Sequence, residues 1–85
     1  MTIHEDIYNY CDELADDFDC IFNYNKSGYN KSAKMYFLYF DYVTQVRDER
    51  TWEEEFEMAF PEVDYAEAVY EGGSHEREMW VQVYL

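Results

Sequence analysis

Carboxylates are the side chains of this sequence with the widest range of possible chemistry, and they far outnumber the basic side chains. The chain has 85 residues, with 20 Asp and Glu against 6 Lys and Arg, and a formal net charge of −14. The acids are concentrated at the two ends: residues 1–25 contain seven acids and no base, and residues 51–85 contain ten acids and one base. Carboxylates can transfer protons, bind hard cations or attract a cationic partner, and their spacing helps to decide among these roles.

The acids recur at the spacing of a helical turn. The first group forms two adjacent stripes on a predicted helix, one with Glu5, Asp12 and Asp16 and the other with Asp6, Glu13 and Asp17. The second group comprises Glu53, Glu54, Glu55 and Glu57, followed by Glu62 and Asp64. Side chains one turn apart lie about 6 Å from each other, and phosphates along a nucleic-acid strand have separations of the same order. A rigid helix with this pattern can stand in for a row of phosphates.

Catalytic and metal-binding patterns are weak in this sequence. His4 and His75 are the only histidines, and no pattern links either one to a nucleophile. Ser27, Ser32 and Ser74 fall in predicted loops, without the context of a nucleophile elbow. The crowded acids Asp16, Asp17 and Asp19 favour weak divalent binding, but the spacing of a calcium loop or a zinc site is absent. We therefore predict no catalytic residues, no dedicated metal site and no cofactor.

An ordinary solvated surface is the alternative explanation for the acidic stripes. Like charges one turn apart destabilise a helix by about 0.2–0.5 kcal/mol per pair, and ordinary exposed helices intersperse both signs. Few Lys or Arg residues are interleaved here. The pattern therefore leaves two hypotheses open, a solvated face and a surface for a cationic partner.

Charge and composition exclude several classes of function. Direct binding of nucleic acid needs a basic stripe, and anionic membranes are disfavoured by the same argument. The longest segment without a charged residue is Met79–Leu85, too short to cross a bilayer. The acidic first fifteen residues do not resemble a secretion signal, and two cysteines, Cys11 and Cys20, are too few for a disulfide scaffold. We expect a reduced, cytoplasmic protein with a single domain, residues 1–85.

Hydrophobic periodicity predicts one helix and two strands in each half of the chain. Capping boxes at Thr2 and Thr51 are expected to begin the helices, and Pro61 to help end the second. The predicted strands are Asp19–Asn25, Met35–Val43, Val63–Tyr70 and Met79–Leu85, with a hairpin loop at Lys26–Lys34, a charged linker at Arg47–Arg50 and a turn at Glu71–His75.

These elements predict an α+β fold of order αββ-αββ. The two halves align as a pseudo-duplication, which favours a four-stranded antiparallel sheet with both helices on one face. The predicted core residues are Ile7, Cys11, Leu14, Phe22, Phe37, Tyr39, Phe56, Phe60, Val81 and Val83. The opposite face of the sheet is expected to expose an aromatic set, Tyr36, Tyr42, Trp80 and Tyr84, which could bind a partner or form a homodimer. Strand propensity alone is the alternative reason for these aromatic residues.

In composition and charge layout, the segments Glu5–Asp19 and Glu53–Asp64 resemble the small acidic DNA-mimic inhibitors of phages and mobile elements. These include anti-CRISPR and anti-restriction proteins, which occupy the nucleic-acid channel of a host defence enzyme. The resemblance implies a basic protein partner, in a bacterial cytoplasm if the protein is phage-encoded. It implies no particular topology, because such inhibitors share no common fold. The alternative function is an acidic interaction module, such as an immunity protein or a chaperone for a basic partner.

Overall fold

The protein alternates one helix with a β-hairpin, twice. The computed structural model describes residues 3–45, 47–72 and 77–85, with side chains from residue 5 onward. Its elements are α1 (Ile3–Asp17), β1 (Ile21–Asn30), β2 (Met35–Val43), α2 (Glu49–Ala59), β3 (Tyr65–Gly72) and β4 (Arg77–Tyr84). The predicted α+β class and element order are confirmed. The duplication of sequence between the two halves stays a prediction.

The four strands form one antiparallel sheet in the order β1-β2-β4-β3. Each hairpin places its second strand at the centre, so β2 and β4 pair with each other, for example at Leu38 and Val81. The strands β1 and β3 are the edges of the sheet. The predicted bounds of β2 agree with the structure, since this strand has the longest uninterrupted apolar run in the chain.

Both helices contribute to a core on one face of the sheet. Its fully buried side chains include Ile7 and Cys11 from α1, Trp52 and Phe56 from α2, and Leu38 from β2. The predicted core residues Leu14, Val81 and Val83 are also buried, and Phe22 and Phe60 are partly buried against them. The sheet therefore has one face packed against helices.

The face of β2 that points to the core was predicted wrongly. Tyr36, Leu38 and Phe40 are buried there, whereas Phe37 and Tyr39 are only half-buried on the opposite face. Every position from Met35 to Phe40 is apolar or aromatic, so alternation within the strand cannot choose the phase. The choice becomes visible only in the pairing, because Phe37 lies opposite the polar Gln82 of β4.

Two predicted element boundaries also need correction. The helix α2 begins two residues before Thr51, because Asp48 is the N-cap and its Oδ1 accepts a hydrogen bond from the Arg50 N–H at 2.8 Å. The expected cap at Thr2 lies outside the described residues. Residues 26–30, predicted as loop, belong to β1, and the turn comprises residues 31–34.

A long irregularity in β1 explains why this strand was predicted too short. The register with β2 shifts between Asn23 and Gly28. Within this bulge, the Ser27 hydroxyl donates to the Asn23 carbonyl at 2.8 Å and accepts from the Tyr39 N–H at 3.0 Å. The hydroxyl thus replaces a strand hydrogen bond, which lets polar, turn-forming residues continue the strand.

The strand boundaries of the second hairpin differ from the predicted ones by one or two residues. Strand β3 begins at Tyr65, because Val63 and Asp64 form the connection from α2. Glu71 and Gly72, predicted as part of the turn, extend β3, and the rest of that turn, residues 73–75, lies outside the described residues. Strand β4 begins at Arg77, two residues before the predicted start.

The Tyr70 hydroxyl fixes the entry to α2. It accepts hydrogen bonds from the Arg47 N–H at 2.8 Å and from Trp52 Nε1 at 3.0 Å, and it donates to the Arg47 carbonyl at 2.7 Å. The Arg47 guanidinium lies 4.2 Å from the centre of the Phe18 ring at the end of α1. One cluster therefore links β3, α2 and α1 and sets the position of both helices.

Candidate functional site

Four acids of α1 form an exposed group that has no ion pair among the described residues. Asp12, Glu13, Asp16 and Asp17 are all exposed, and none of the ion pairs among the described residues includes them. Glu5 is also exposed and Asp6 is half-buried. No basic residue occupies the last turn of α1, where acids oppose the helix dipole. This arrangement costs stability, as expected of a surface that serves another purpose.

The carboxylates of Glu53 and Glu57 have a different environment, because they point to the edge of the sheet. The Glu53 Oε2 atom accepts a hydrogen bond from the Ala68 N–H at 2.9 Å, and the Glu57 Oε2 atom accepts one from the Ala66 N–H at 3.1 Å. Alternate N–H groups of a strand are about 6.7 Å apart, and residues i and i+4 of a helix have side chains about 6 Å apart. These two spacings match, so carboxylates of α2 accept hydrogen bonds from the N–H groups at the free edge of β3.

Arg50 neutralises the same face of α2. Its guanidinium forms ion pairs with Glu53 at 3.2 Å, Glu54 at 3.4 Å and Glu57 at 2.6 Å. Its hydrogen bonds, together with the one from Ala66, hold the pKa of the Glu57 carboxyl below its ordinary value of 4.5. The expectation of an unneutralised carboxylate row on α2 is therefore wrong for these residues, and Glu53 and Glu57 are removed from the candidate surface.

The side chain of Glu55 joins the acidic faces of the two helices. The Tyr10 hydroxyl of α1 donates a hydrogen bond to Glu55 Oε2 at 2.6 Å. Burial raises the pKa of Tyr10, and so do the hydrogen bond to Glu55 and the negative charges of Glu55 and Asp17. Asp17 and Glu55 are therefore close to the same ring. Glu62 and Asp64, between α2 and β3, are exposed as well.

Charge is segregated between the two layers of the protein. The described residues of the two hairpins carry equal numbers of bases and acids: Lys26, Lys31, Lys34 and Arg77 against Asp41, Glu67, Glu71 and Glu78. The negative excess of the described residues therefore lies on the helices and their connections. We call the exposed carboxylates of α1 and of the connection from α2 to β3 the acidic helix layer: Glu5, Asp12, Glu13, Asp16, Asp17, Glu62 and Asp64.

Among the described residues, no helix covers the other face of the sheet, which is aromatic. Of the four predicted aromatic residues, Trp80 and Tyr84 alternate with the buried residues of β4 and lie on this face. The prediction is wrong for Tyr36, which is 1% exposed in the core. Tyr42 is exposed near the end of β2, with a positive φ of 57°.

Sequence reasoning missed three further members of the aromatic face. The centre of the Trp80 ring lies 5.6 Å from that of Tyr39 and 6.4 Å from that of Phe37, and the rings of Tyr84 and Tyr65 stack at 4.3 Å. We call Phe37, Tyr39, Tyr65, Trp80 and Tyr84 the aromatic face. These residues are identified by the pairing of the strands, which cannot be read from any single segment of the sequence.

Metal-binding groups and reactive thiols were searched for among the described residues. No group of three or more His, Cys, Asp and Glu among them is placed to hold a metal ion. Cys11 is buried, and burial raises the pKa of the Cys20 thiol to about 11, so this thiol is protonated at neutral pH. His4 and His75 lie outside the residues whose side chains are described. Neither described helix is long and apolar enough to span a membrane.

Comparison with known proteins found no family model, curated protein or solved structure that matches the chain. Its function must therefore be inferred from the charge and contacts of its own residues.

Proposed function

We propose that this protein is an inhibitor that mimics nucleic acid and binds the basic channel of a nucleic-acid-binding defence enzyme, of the anti-CRISPR or anti-restriction type. The observation that carries the proposal is the segregation of charge. The negative excess lies on the helix side, while the described residues of the two hairpins, including the turn at residues 31–34, carry no net charge. A protein that needed charge only for solubility could spread it over both faces.

The geometry of α1 supports this use of the acidic helix layer. Asp12 and Asp16 are one turn apart and exposed, so their carboxylates have a spacing comparable to that of phosphates. The helix is anchored by the buried side chains of Ile7, Cys11 and Leu14. Because its backbone is held in place, the carboxylates lose little conformational entropy when they bind a cationic channel.

The α2 carboxylates have a supporting role in this proposal. Glu53 and Glu57 hold α2 against the β3 edge, and Glu55 holds α1 against α2 through Tyr10. The mimic surface is thus centred on α1, with Glu62 and Asp64 at its periphery. Glu54 is exposed and pairs with Arg50, so it adds less negative field than an unpaired carboxylate.

Salt dependence tests the electrostatic basis of the proposal. Immobilised protein is incubated with bacterial lysate, and the retained proteins are eluted at increasing salt. A partner that binds through Lys and Arg is expected to lose affinity steeply between about 50 and 200 mM salt, as in phosphate recognition. Equal retention at both concentrations would contradict the proposal and would assign the binding energy to apolar contacts.

A further inference from the structure

We infer that the aromatic face is the interface of a homodimer, in which a second copy of this chain packs face to face against the sheet. The inference concerns the side of the protein opposite the acidic helix layer, and it does not depend on the proposed function.

The aromatic face has the composition of an interface rather than of a solvated sheet. Three aromatic residues occupy its two central strands side by side, namely Phe37, Tyr39 and Trp80. Tyr65 and Val69 on β3 are 43% and 44% exposed. Contiguous exposed apolar patches mark interaction sites, and Tyr, Trp and Phe are enriched at the centres of interfaces.

The distribution of charge around this face favours a second copy over a strongly basic partner. Lys26 and Lys31 lie on the β1 side, and Glu67 and Glu71 lie on β3 at the opposite edge. A twofold axis parallel to the strands, midway between β2 and β4, places β1 of one copy over β3 of the other. Each basic edge then meets an acidic edge, twice per dimer.

One of these charge pairs, Lys26 with Glu71, also matches in its level along the strands. Lys26 Nζ forms an ion pair with Glu78 Oε1 of its own chain at 3.7 Å, and Glu78 pairs with Glu71. Lys26 and Glu71 therefore lie at the same level of the sheet, and the rotation brings Glu71 of the other copy to this existing ion pair. Tyr39 pairs with Trp80, so the same rotation brings Tyr39 of one copy onto Trp80 of the other. Stacked sheets in aligned sandwiches keep their strands within about 30° of each other, which preserves these levels approximately.

A groove on the aromatic face lies opposite β3 of the other copy under the same rotation. A groove of about 590 Å³ beside β1 is lined in part by Lys26, Lys31, Phe37 and Tyr39. The rotation brings β3 of the other copy over this groove. The protruding side chains of Tyr65 and Val69 then face the groove.

The large negative charge does not oppose this arrangement, because the acidic helix layers end on the two outer sides. Stacked sheets are about 10 Å apart and a helix is about 10 Å in diameter. The two acidic helix layers are thus separated by several times the Debye length of about 8 Å at physiological salt, and their repulsion is screened.

The dimer is tested by the mass of the full-length chain in solution. Light scattering after size exclusion, at about 10 to 500 μM protein, samples dissociation constants in the micromolar range. We expect a mass of twice 10.4 kDa at the upper concentrations. A mass of 10.4 kDa throughout would overturn the inference.

A charge exchange tests the geometry of the interface. Lys26→Glu and Glu71→Lys, each alone, are expected to raise the dimer dissociation constant at least tenfold, and the double variant is expected to restore it. Glu62→Lys on the helix side changes the net charge as Glu71→Lys does and should leave the dimer intact. Circular dichroism confirms that each variant is folded. If both folded single variants dimerise like the wild type, or the double variant is no better than either, the inference is wrong.

Discussion

Replacing Glu53 and Glu57 together with alanine is expected to lower the free energy of unfolding by roughly 2 kcal/mol or more, since an unpaired buried donor costs about 1–3 kcal/mol. The double variant removes the acceptors of the Ala66 and Ala68 N–H groups at the edge of β3. Ala66 and Ala68 are each 4% exposed, so water is a poor substitute for the carboxylates as acceptor for their N–H groups. Urea unfolding followed by far-ultraviolet circular dichroism measures the loss.

Two control variants separate the hydrogen bonds from the ion pairs. Glu54→Ala removes only an exposed ion pair with Arg50 and is expected to change stability by less than about 1 kcal/mol. Changing Glu53 and Glu57 to Gln keeps an acceptor oxygen, so the loss should lie between those of the other two variants. A double alanine variant as stable as Glu54→Ala would contradict the assigned role of these carboxylates.

The contribution of the Glu57 carboxylate to the free energy of unfolding depends on pH. The pKa of the folded Glu57 carboxyl is below its ordinary value of 4.5, so the ionised form contributes stability above that value. The contribution is lost as the pH falls through the folded pKa. The stability difference between the wild type and Glu57→Gln is therefore expected to narrow in that acidic range.

The second large effect is expected in partner binding. Changing Asp12 and Asp16 of α1 to Asn removes two exposed carboxylates one turn apart, and we expect affinity for the basic partner to fall more than tenfold, or by more than about 1.4 kcal/mol. The association rate should fall too, because electrostatic steering depends on the field of the acidic helix layer. Surface plasmon resonance with the captured partner measures both quantities.

A matched variant controls for total charge. Glu49→Gln with Glu67→Gln also removes two exposed acids, neither of which forms an ion pair among the described residues. It should change affinity much less than the α1 variant. Asn at positions 12 and 16 is not expected to destabilise α1, because Asp16 opposes the helix dipole in the last turn and Asp12, one turn earlier, repels it. Equal losses in the two variants would show that net charge, rather than the α1 pattern, controls binding.

Local patterns in the sequence were sufficient to predict the helices and strands but not to predict how the strands pair. The spacing of Ile7, Cys11 and Leu14 predicted the buried face of α1, and the apolar run Met35–Val43 predicted β2. The orientation of β2 depends on its neighbour, where Gln82 lies opposite Phe37. Tyr36 was therefore assigned to the wrong face, although its own segment was identified correctly.

The roles of the α2 acids were hidden for a related reason. Arg50 precedes Glu53 and Glu54 by three and four residues, so those ion pairs were visible in the sequence. The hydrogen bonds from Ala66 and Ala68 were not, because they depend on how α2 lies along the edge of β3. Asp12 and Asp16 of α1 form no ion pair among the described residues, and the argument for their function is the segregation of charge to the helix side together with their spacing.

Competition with nucleic acid tests the proposed function most directly. The captured basic partner is saturated with a labelled duplex or single strand that it binds, and the protein is then added at increasing concentration. A mimic is predicted to displace the labelled nucleic acid completely, and the Asp12→Asn, Asp16→Asn variant should need more than ten times the concentration. If the partner binds the protein and its nucleic acid at the same time, the mimic proposal is contradicted, and the protein is an acidic interaction module such as an immunity protein or a chaperone.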